Sequence, residues 1–362
     1  MNLAARRLRN QRLVGTRLLG PEAVVGWLGA VQAQDYPGAA WAVAQRTTGA
    51  TAADVDAALD AGTILRTHVL RPTWHLVRPA DLRWMQALTG PRVKRSLRSY
   101  DRKLEIDDRT VGRSQRLIAD ALADGAHRTR AELAEVLEGG GIVARGPRLA
   151  HLVMHAEADA LVCSGRRRGR TQTYALVDER APGGPVLEPE EALVELVRRY
   201  LRSHGPATPH DVAWWSGLTV TDARRGLAAL GDEGEEVEID GTAYWQVAPV
   251  APVSLPDPTV HLLPNYDEHV VAYRDHGPSV DPATPDALAG WGNGSTTHQI
   301  VRNGLVVGGW RRTLHRDRVE VRVTLQTPFS AAERAALVES AEAFGRFLGR
   351  PVGLDVDHRR VV

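Results

Sequence analysis

Apolar residues recur three to four positions apart over 111–123 (VGRSQRLIADALA), the spacing that gives an α-helix one continuous apolar face. Thr129, followed three residues on by Glu132, is a capping-box pair that opens a second helix, and Gly139, Gly140 and Gly141 close it. Pro147 opens a third helix over 147–160. The pattern then shortens, and ALVCSG, RRRGR and TQTYALV read as strand, turn and strand. Three helices followed by a hairpin make a winged helix-turn-helix.

The same order recurs downstream. A helix at 188–203 precedes a Thr208-Pro209 start for DVAWWSGL, a third helix TDARRGLAAL, and the hairpin EVEID, Gly241, TAYWQV. An N-terminal copy is built from LAARRLRN, PEAVVGWLGAVQ, AAWAVAQ and TAADVDAALDAG, followed by the strands ILRTHVL and TWHLV around Arg71-Pro72. Residues 79–109 link the first two copies. From about 255 the texture changes to Pro-rich loops and short strands (HLLPN, HVVAY, LVVGGW, VEVRVTL), with a terminal helix and a closing strand. The expected fold is therefore α+β: three tandem winged helix-turn-helix units (1–109, 110–185 and 186–254) and a small β-rich C-terminal domain (255–362).

Composition narrows the class. At 362 residues, with 43% hydrophobic and 25% charged, the chain is an ordinary globular protein rather than a disordered or fibrous one. No apolar run reaches the roughly 18 residues of a membrane span, and MNLAARRLRNQRLVG lacks the apolar stretch of a secretory signal. Cytoplasmic residence is the expectation. Cys163, the single cysteine, lies in the apolar run ALVC and reads as a buried thiol. The net charge of +1 conceals segregation. Arg6, Arg7, Arg9, Arg12 and Arg17 crowd the first 20 residues without an acid, whereas Asp232, Glu233, Glu235, Glu236, Glu238 and Asp240 cluster in the third unit and are expected to face away from any polyanion.

The chain lacks the motifs of most enzyme classes. There is no Walker A loop, no dinucleotide-binding glycine fingerprint, no H-E-x-x-H and no nucleophile elbow. His151 and His155, at i and i+4, have metal-ligand spacing but fit the core of the second unit better. The turn carrying Arg166, Arg167, Arg168 and Arg170 sits where a wing meets duplex phosphates; the competing reading is a solvated hairpin tip. Gln32-Ala33-Gln34-Asp35 follows an amphipathic helix (Val24, Val25, Leu28, Val31), and its two amides share a side only if that helix ends there.

With Gln32-Ala33-Gln34, four further segments resemble the AlkZ-like DNA glycosylases over nearly the whole chain: LRTHVLRPTWHLV (65–77), GPATPHDVAWWSGL (205–218), LLPNYDEHVVAY (262–273) and NGLVVGGWRR (303–312). The resemblance implies three tandem winged helices forming a concave scaffold for damaged double-stranded DNA, and removal of N7-alkylated guanines, in some members bulky natural-product adducts or interstrand crosslinks. It places the family's glutamine, apolar, glutamine motif on Gln32 and Gln34, whereas the more general branch has aspartate in the second position. The match is thus to the self-resistance branch, with Ala33 a small version of the middle residue.

That chemistry is physically coherent. An N7-alkylguanine is already cationic and leaves as a neutral base, so no strong general acid is required. Two amide oxygens can accept hydrogen bonds from a water and aim it at C1′. Asp35 either supports that water or caps the next helix. Arg66, His68, Arg71, Thr73 and His75 alternate along the first hairpin, giving one face that contacts phosphates or lesion, or else ordinary surface. Tyr266, Asp267 and Glu268 read as structural, and Trp214 and Trp215 as core. No metal or organic cofactor is expected, and Lys94 and Lys103 are the only lysines available for lyase chemistry. The expected protein is a monomeric, nucleoid-associated monofunctional glycosylase; whether it flips the base is open. The alternatives are a non-catalytic tandem winged-helix regulator and a protein that shields lesions without cutting.

Overall fold

The computed structural model describes residues 2–248, 255, 256, 258–288 and 298–358; residues just before the expected boundary at 254/255 lie outside that set. In the N-terminal region α1 (Leu3–Asn10) and α2 (Pro21–Leu28) precede β1 (Val31–Gln32), and α3 (Tyr36–Arg46) and α4 (Ala52–Ala61) precede the hairpin β2 (Leu65–His68) and β3 (Trp74–Val77). The strands form one sheet in the order β1-β3-β2. A 25-residue helix, α5 (Pro79–Lys103), then crosses to the middle of the chain.

There α6 (Asp108–Leu122), β4 (Arg128–Thr129), α7 (Arg130–Gly139), α8 (Gly146–Ala158), β5 (Val162–Ser164) and β6 (Thr173–Leu176) follow, with the sheet ordered β4-β6-β5. The Thr129–Glu132 capping box forms in both directions. After the short α9 (Val177–Arg180), α10 (Pro189–His204), α11 (Pro209–Ser216) and α12 (Val220–Ala228) precede the two-stranded sheet of β7 (Gly234–Ile239) and β8 (Thr242–Val247). Thr208–Asp211 and Thr219–Asp222 cap its helices the same way. Cys163 is buried, and desolvation pushes its thiol up to about 12.

The C-terminal region holds β9 (Val260–Leu263), α13 (Glu268–Val271), β10 (His298–Arg302), β11 (Leu305–Leu314), β12 (Val319–Leu325), α14 (Ala331–Leu348) and β13 (Val352–His358). Its sheet runs β13-β12-β11-β10-β9, parallel only between β12 and β13. HVVAY, expected as a strand, is instead the helical turn α13: the Asp267 carboxylate accepts from the His269 N–H at 2.9 Å and caps it. No helix among the described residues is long and apolar enough to cross a membrane.

Two of the hydrophobic cores join segments distant in sequence. One packs α2, α3 and α4 against the C-terminal sheet and α14, with the Trp41 ring 5.2 Å from Phe344 and 5.1 Å from Phe347. A second joins the first hairpin to α5, α10 and α11 through Leu65, Met85, Leu196 and Trp215. Gly217 ends α11 at φ +71°, and a Cβ there would lie 2.2 Å from the Leu70 carbonyl oxygen, so α11 docks on the first hairpin by backbone contact. Trp215 is fully buried, but Trp214 is 38% exposed, correcting its expected core placement. Its indole N–H donates to the Val271 carbonyl, which holds the ring at the surface.

Buried histidines give this packing a pH signature. Desolvation holds His75 at a pKa of about 3 and His269 at about 4. The unfolded chain takes up protons at these positions near pH 6.5, which the folded chain refuses until far lower pH. Stability is therefore complete above about pH 6.5 and falls by about 1.4 kcal/mol per pH unit for each histidine on acidification. Thermal melts at pH 7 and pH 5 should differ by several degrees, the lower value at pH 5; a flat profile would contradict the buried, neutral assignment.

Candidate active site

α2 stops at Leu28, three residues before the end expected from its apolar spacing, because Gly29 adopts φ +83° and turns the chain over Trp215. Val31 and Gln32 then pair with Leu76 and His75, and the Ala33 N–H donates to the Trp74 carbonyl at 2.7 Å. β1 ends at Gln32; Ala33 is buried, and the exposed Gln34 begins a bend that leads into α3. Both glutamine carbonyls meet the turn between β2 and β3. Arg71 Nη2 donates to Gln32 Oε1 at 2.9 Å, and the Trp74 N–H lies 3.5 Å from Gln34 Oε1. Gln32 is 7% exposed, whereas Gln34 stands in solvent.

The segment between the amides is also held. Arg66 Nε donates to the Ala33 carbonyl at 3.0 Å while its guanidinium lies 4.3 Å from the Trp74 ring centre. The Gln32 N–H donates to Glu268 Oε1 at 2.8 Å. Trp215 Nε1 donates to Glu268 Oε2 at 3.0 Å, and His204 Nε2 lies 3.3 Å from the same oxygen. Burial by itself raises the Glu268 pKa, but the contacts with His204 and the Gln32 N–H outweigh it and hold the carboxyl below its ordinary range. A buried anion thus lies behind Gln32. Burial lowers the Arg71 pKa, and the Glu268 charge opposes that effect.

The first hairpin is not the free wing expected from its alternation. β1 covers one edge of its sheet, and α8 and β5 close over the rest: His68 Nδ1 meets Glu157 Oε2 at 2.5 Å, Trp74 Nε1 donates to Glu157 Oε1, and the Arg66 N–H donates to Ser164 Oγ. His68 and His75 are buried, so the reading of them as phosphate contacts is corrected. Neutral His75 faces the Thr73 carbonyl through Nδ1 at 2.9 Å. Arg66 and Arg71 reach inward to the glutamine segment, and Thr73 is half-buried at the turn.

Asp35 occupies the N-cap position of α3, yet its carboxylate makes no capping hydrogen bond. It lies over Gly38 and within the field of Arg312, whose pKa falls by burial and is partly restored by the Asp35 charge. On the second hairpin, Arg167 is clamped to Asp56 at 2.7 Å and Asp60 at 2.9 Å, which ties the hairpin to α4, and Arg168 pairs with Glu132. Arg166 and Arg170 are exposed, and with His127 and Arg180 the turn borders a groove of about 440 Å³. His151 and His155 share one carboxylate, Asp101 of α5, at 2.8 and 3.0 Å, so the pair ties α8 to α5. No group of three His, Cys, Asp or Glu among the described residues has metal-binding geometry.

Three side chains near the motif were not expected as site residues from the sequence: Glu268, read as structural, Arg312, and Trp214, read as core, whose ring lies 5.5 Å from the Arg71 guanidinium and 5.6 Å from that of Arg274. The available signal for Glu268 was two adjacent acids, Asp267 and Glu268, opening an apolar run, since buried carboxylates require partners.

The two amides thus lie on a mixed α+β scaffold, against the first hairpin and Glu268 of the C-terminal region. The model of the AlkZ-like DNA glycosylase family matches residues 25–347, and the chain belongs to that family. It is 27% identical over 356 residues to an interstrand DNA cross-link repair glycosylase of Streptomyces sahachiroi, spanning 91% of this chain and 90% of the relative. The solved structure of the Streptomyces sahachiroi DNA glycosylase AlkZ superposes with a TM-score of 0.78 at 24% identity, covering 97% of this chain and 98% of that one, and shares its fold.

Proposed function

We propose that this protein is a monofunctional DNA glycosylase that hydrolyses the N-glycosidic bond of N7-alkylguanine in duplex DNA, including bulky natural-product adducts and interstrand crosslinks, in DNA repair and self-resistance. The observation that carries the reading is Gln32 held on β1 with its side-chain carbonyl fixed by Arg71, and Gln34 two residues on with its carbonyl toward the Trp74 N–H. The carbonyl oxygen has two lone pairs; Arg71 engages one, and the other accepts a hydrogen bond from a water, which releases a proton to bulk solvent as its oxygen bonds to C1′. Water so held is oriented toward C1′ as the glycosidic bond breaks, and the amides place negative oxygen dipoles against the sugar cation that develops. The departing base is already cationic, so its departure leaves it neutral and needs no acid.

The three helix-and-hairpin units act in this reading as tandem winged helices holding damaged duplex, with a single copy of the chain sufficing. Arg166 and Arg170 are its phosphate contacts on the second wing, whereas Arg167 is committed to Asp56 and Asp60. Replacing Arg166 and Arg170 together by alanine should weaken binding similarly for all sequences and flatten the slope of log affinity against log salt by about 2. Arg167→Ala should instead lower the melting temperature, and equal salt slopes for wild type and the double variant would remove the wing from the interface. The reaction itself is tested by its products: free alkylated base identified by mass spectrometry, together with an intact abasic strand. Strand cleavage without added base would overturn the monofunctional assignment.

A further inference from the structure

We infer that Glu268 is a positioning residue for the glutamine segment, acting through the Gln32 N–H; the inference rests on the glycosylase reading. β1 is only two residues long and lies at the edge of its sheet. Ala33 points its N–H into the sheet, to the Trp74 carbonyl, so the Gln32 N–H points outward from that edge. An edge N–H in a buried setting requires a partner, and Glu268 Oε1 supplies it at 2.8 Å. Gln32 is thereby gripped at two points, its backbone by Glu268 and its amide oxygen by Arg71.

The grip depends on a carboxylate. Three groups converge on its two oxygens: the Gln32 N–H on Oε1, and Trp215 Nε1 with His204 Nε2 on Oε2. A glutamine of the same shape retains one acceptor oxygen and turns an NH2 group toward one of the two donor sets. An aspartate keeps the charge but is one methylene shorter. Asp267, the adjacent residue, fixes α13 through Arg46, so Glu268 is presented from a rigid support. Its Oε2 partners come from α10 and α11, so one side chain of the C-terminal region joins the glutamine segment to the third unit.

The test is a double-mutant cycle between Glu268→Gln and Gln32→Ala, read by single-turnover release of N7-alkylguanine, DNA affinity, and hydrogen exchange of a peptide spanning 31–35. With Gln32 present, Glu268→Gln should lower the release rate at least about tenfold, leave affinity within about twofold, and accelerate exchange of the peptide. In the Gln32→Ala background it should lower the rate by less than about threefold, because the group it positions is gone. An equal loss in both backgrounds, an unchanged rate, or a loss confined to binding would overturn the assignment. Should Glu268→Gln fail to melt cooperatively, Glu268→Asp carries the same cycle with the same criteria. If wild type releases no base from any duplex, the glycosylase reading falls and this role with it; an active wild type with Glu268 uncoupled overturns this role alone.

Discussion

Gln32→Ala is expected to reduce single-turnover base release roughly 100-fold while DNA affinity stays within about twofold, the loss typical of removing one fixed polar group from a reacting centre. Gln34→Ala should cost less. The difference follows from how each amide is held: Gln32 is 7% exposed, with its oxygen on Arg71 and its backbone on Glu268, whereas Gln34 is exposed and its oxygen meets only the long 3.5 Å contact from the Trp74 N–H. A preorganised group contributes more than one that must be ordered during the reaction. Arg71→Ala should reproduce part of the Gln32 loss, since it releases the amide without removing it. Rates measured for the three variants under single-turnover conditions check this order, and equal losses for Gln32→Ala and Gln34→Ala would contradict the asymmetry.

Asp267→Ala is expected to cost about 3 to 5 kcal/mol of stability, the penalty for leaving one partner of a buried ion pair uncompensated. Arg46 donates to both Asp267 oxygens at 2.9 and 2.8 Å, and both side chains are fully buried. Burial raises the Asp267 pKa, but Arg46 outweighs it and keeps the carboxylate ionised well below its ordinary range. Arg46 also donates to the Gln11 carbonyl and the Gln11 side chain, so the pair ties α1, α3 and α13 together. Because Asp267 also caps the turn that presents Glu268, the same variant should lose base release beyond what its residual folded fraction explains. Denaturant melts alongside activity per folded molecule measure both effects; a loss under about 1 kcal/mol would show that the pair is not the anchor described.

Local chemistry was legible from the chain. Thr129 with Glu132, the Thr208-Pro209 start and the hairpin around Gly241 each bring their partners within a few residues, and each forms as its sequence specifies. The α+β class and the order of helices before hairpins follow from the same short-range signals. The glutamine pair was found through resemblance to a family, since two amides two residues apart are otherwise unremarkable.

What could not be read depends on what covers each element. Polar alternation along LRTHVLRPTWHLV looks the same whether its outer face meets water or another unit, and here Glu157 and Ser164 close over it from some 90 residues away. HVVAY has the branched side chains of a strand, but Asp267 caps it into a turn and its residues are buried against Gln11 and against Tyr200 and His204 of α10. Trp214 and Trp215 are adjacent in sequence and opposite in exposure, which only the docking of α11 decides. Glu268 meets Gln32 across 236 positions, and no local pattern announces such a contact.

The most direct test incubates wild type and the Gln32→Ala/Gln34→Ala variant with two duplexes, one carrying N7-methylguanine and one a bulky intercalator-linked N7 adduct, and quantifies free base. The account predicts release by wild type, with the two duplexes reporting its breadth, and loss of that release in a variant that still binds DNA. Full release by the double variant, or binding without release by wild type as a non-catalytic DNA-binding regulator would show, contradicts it.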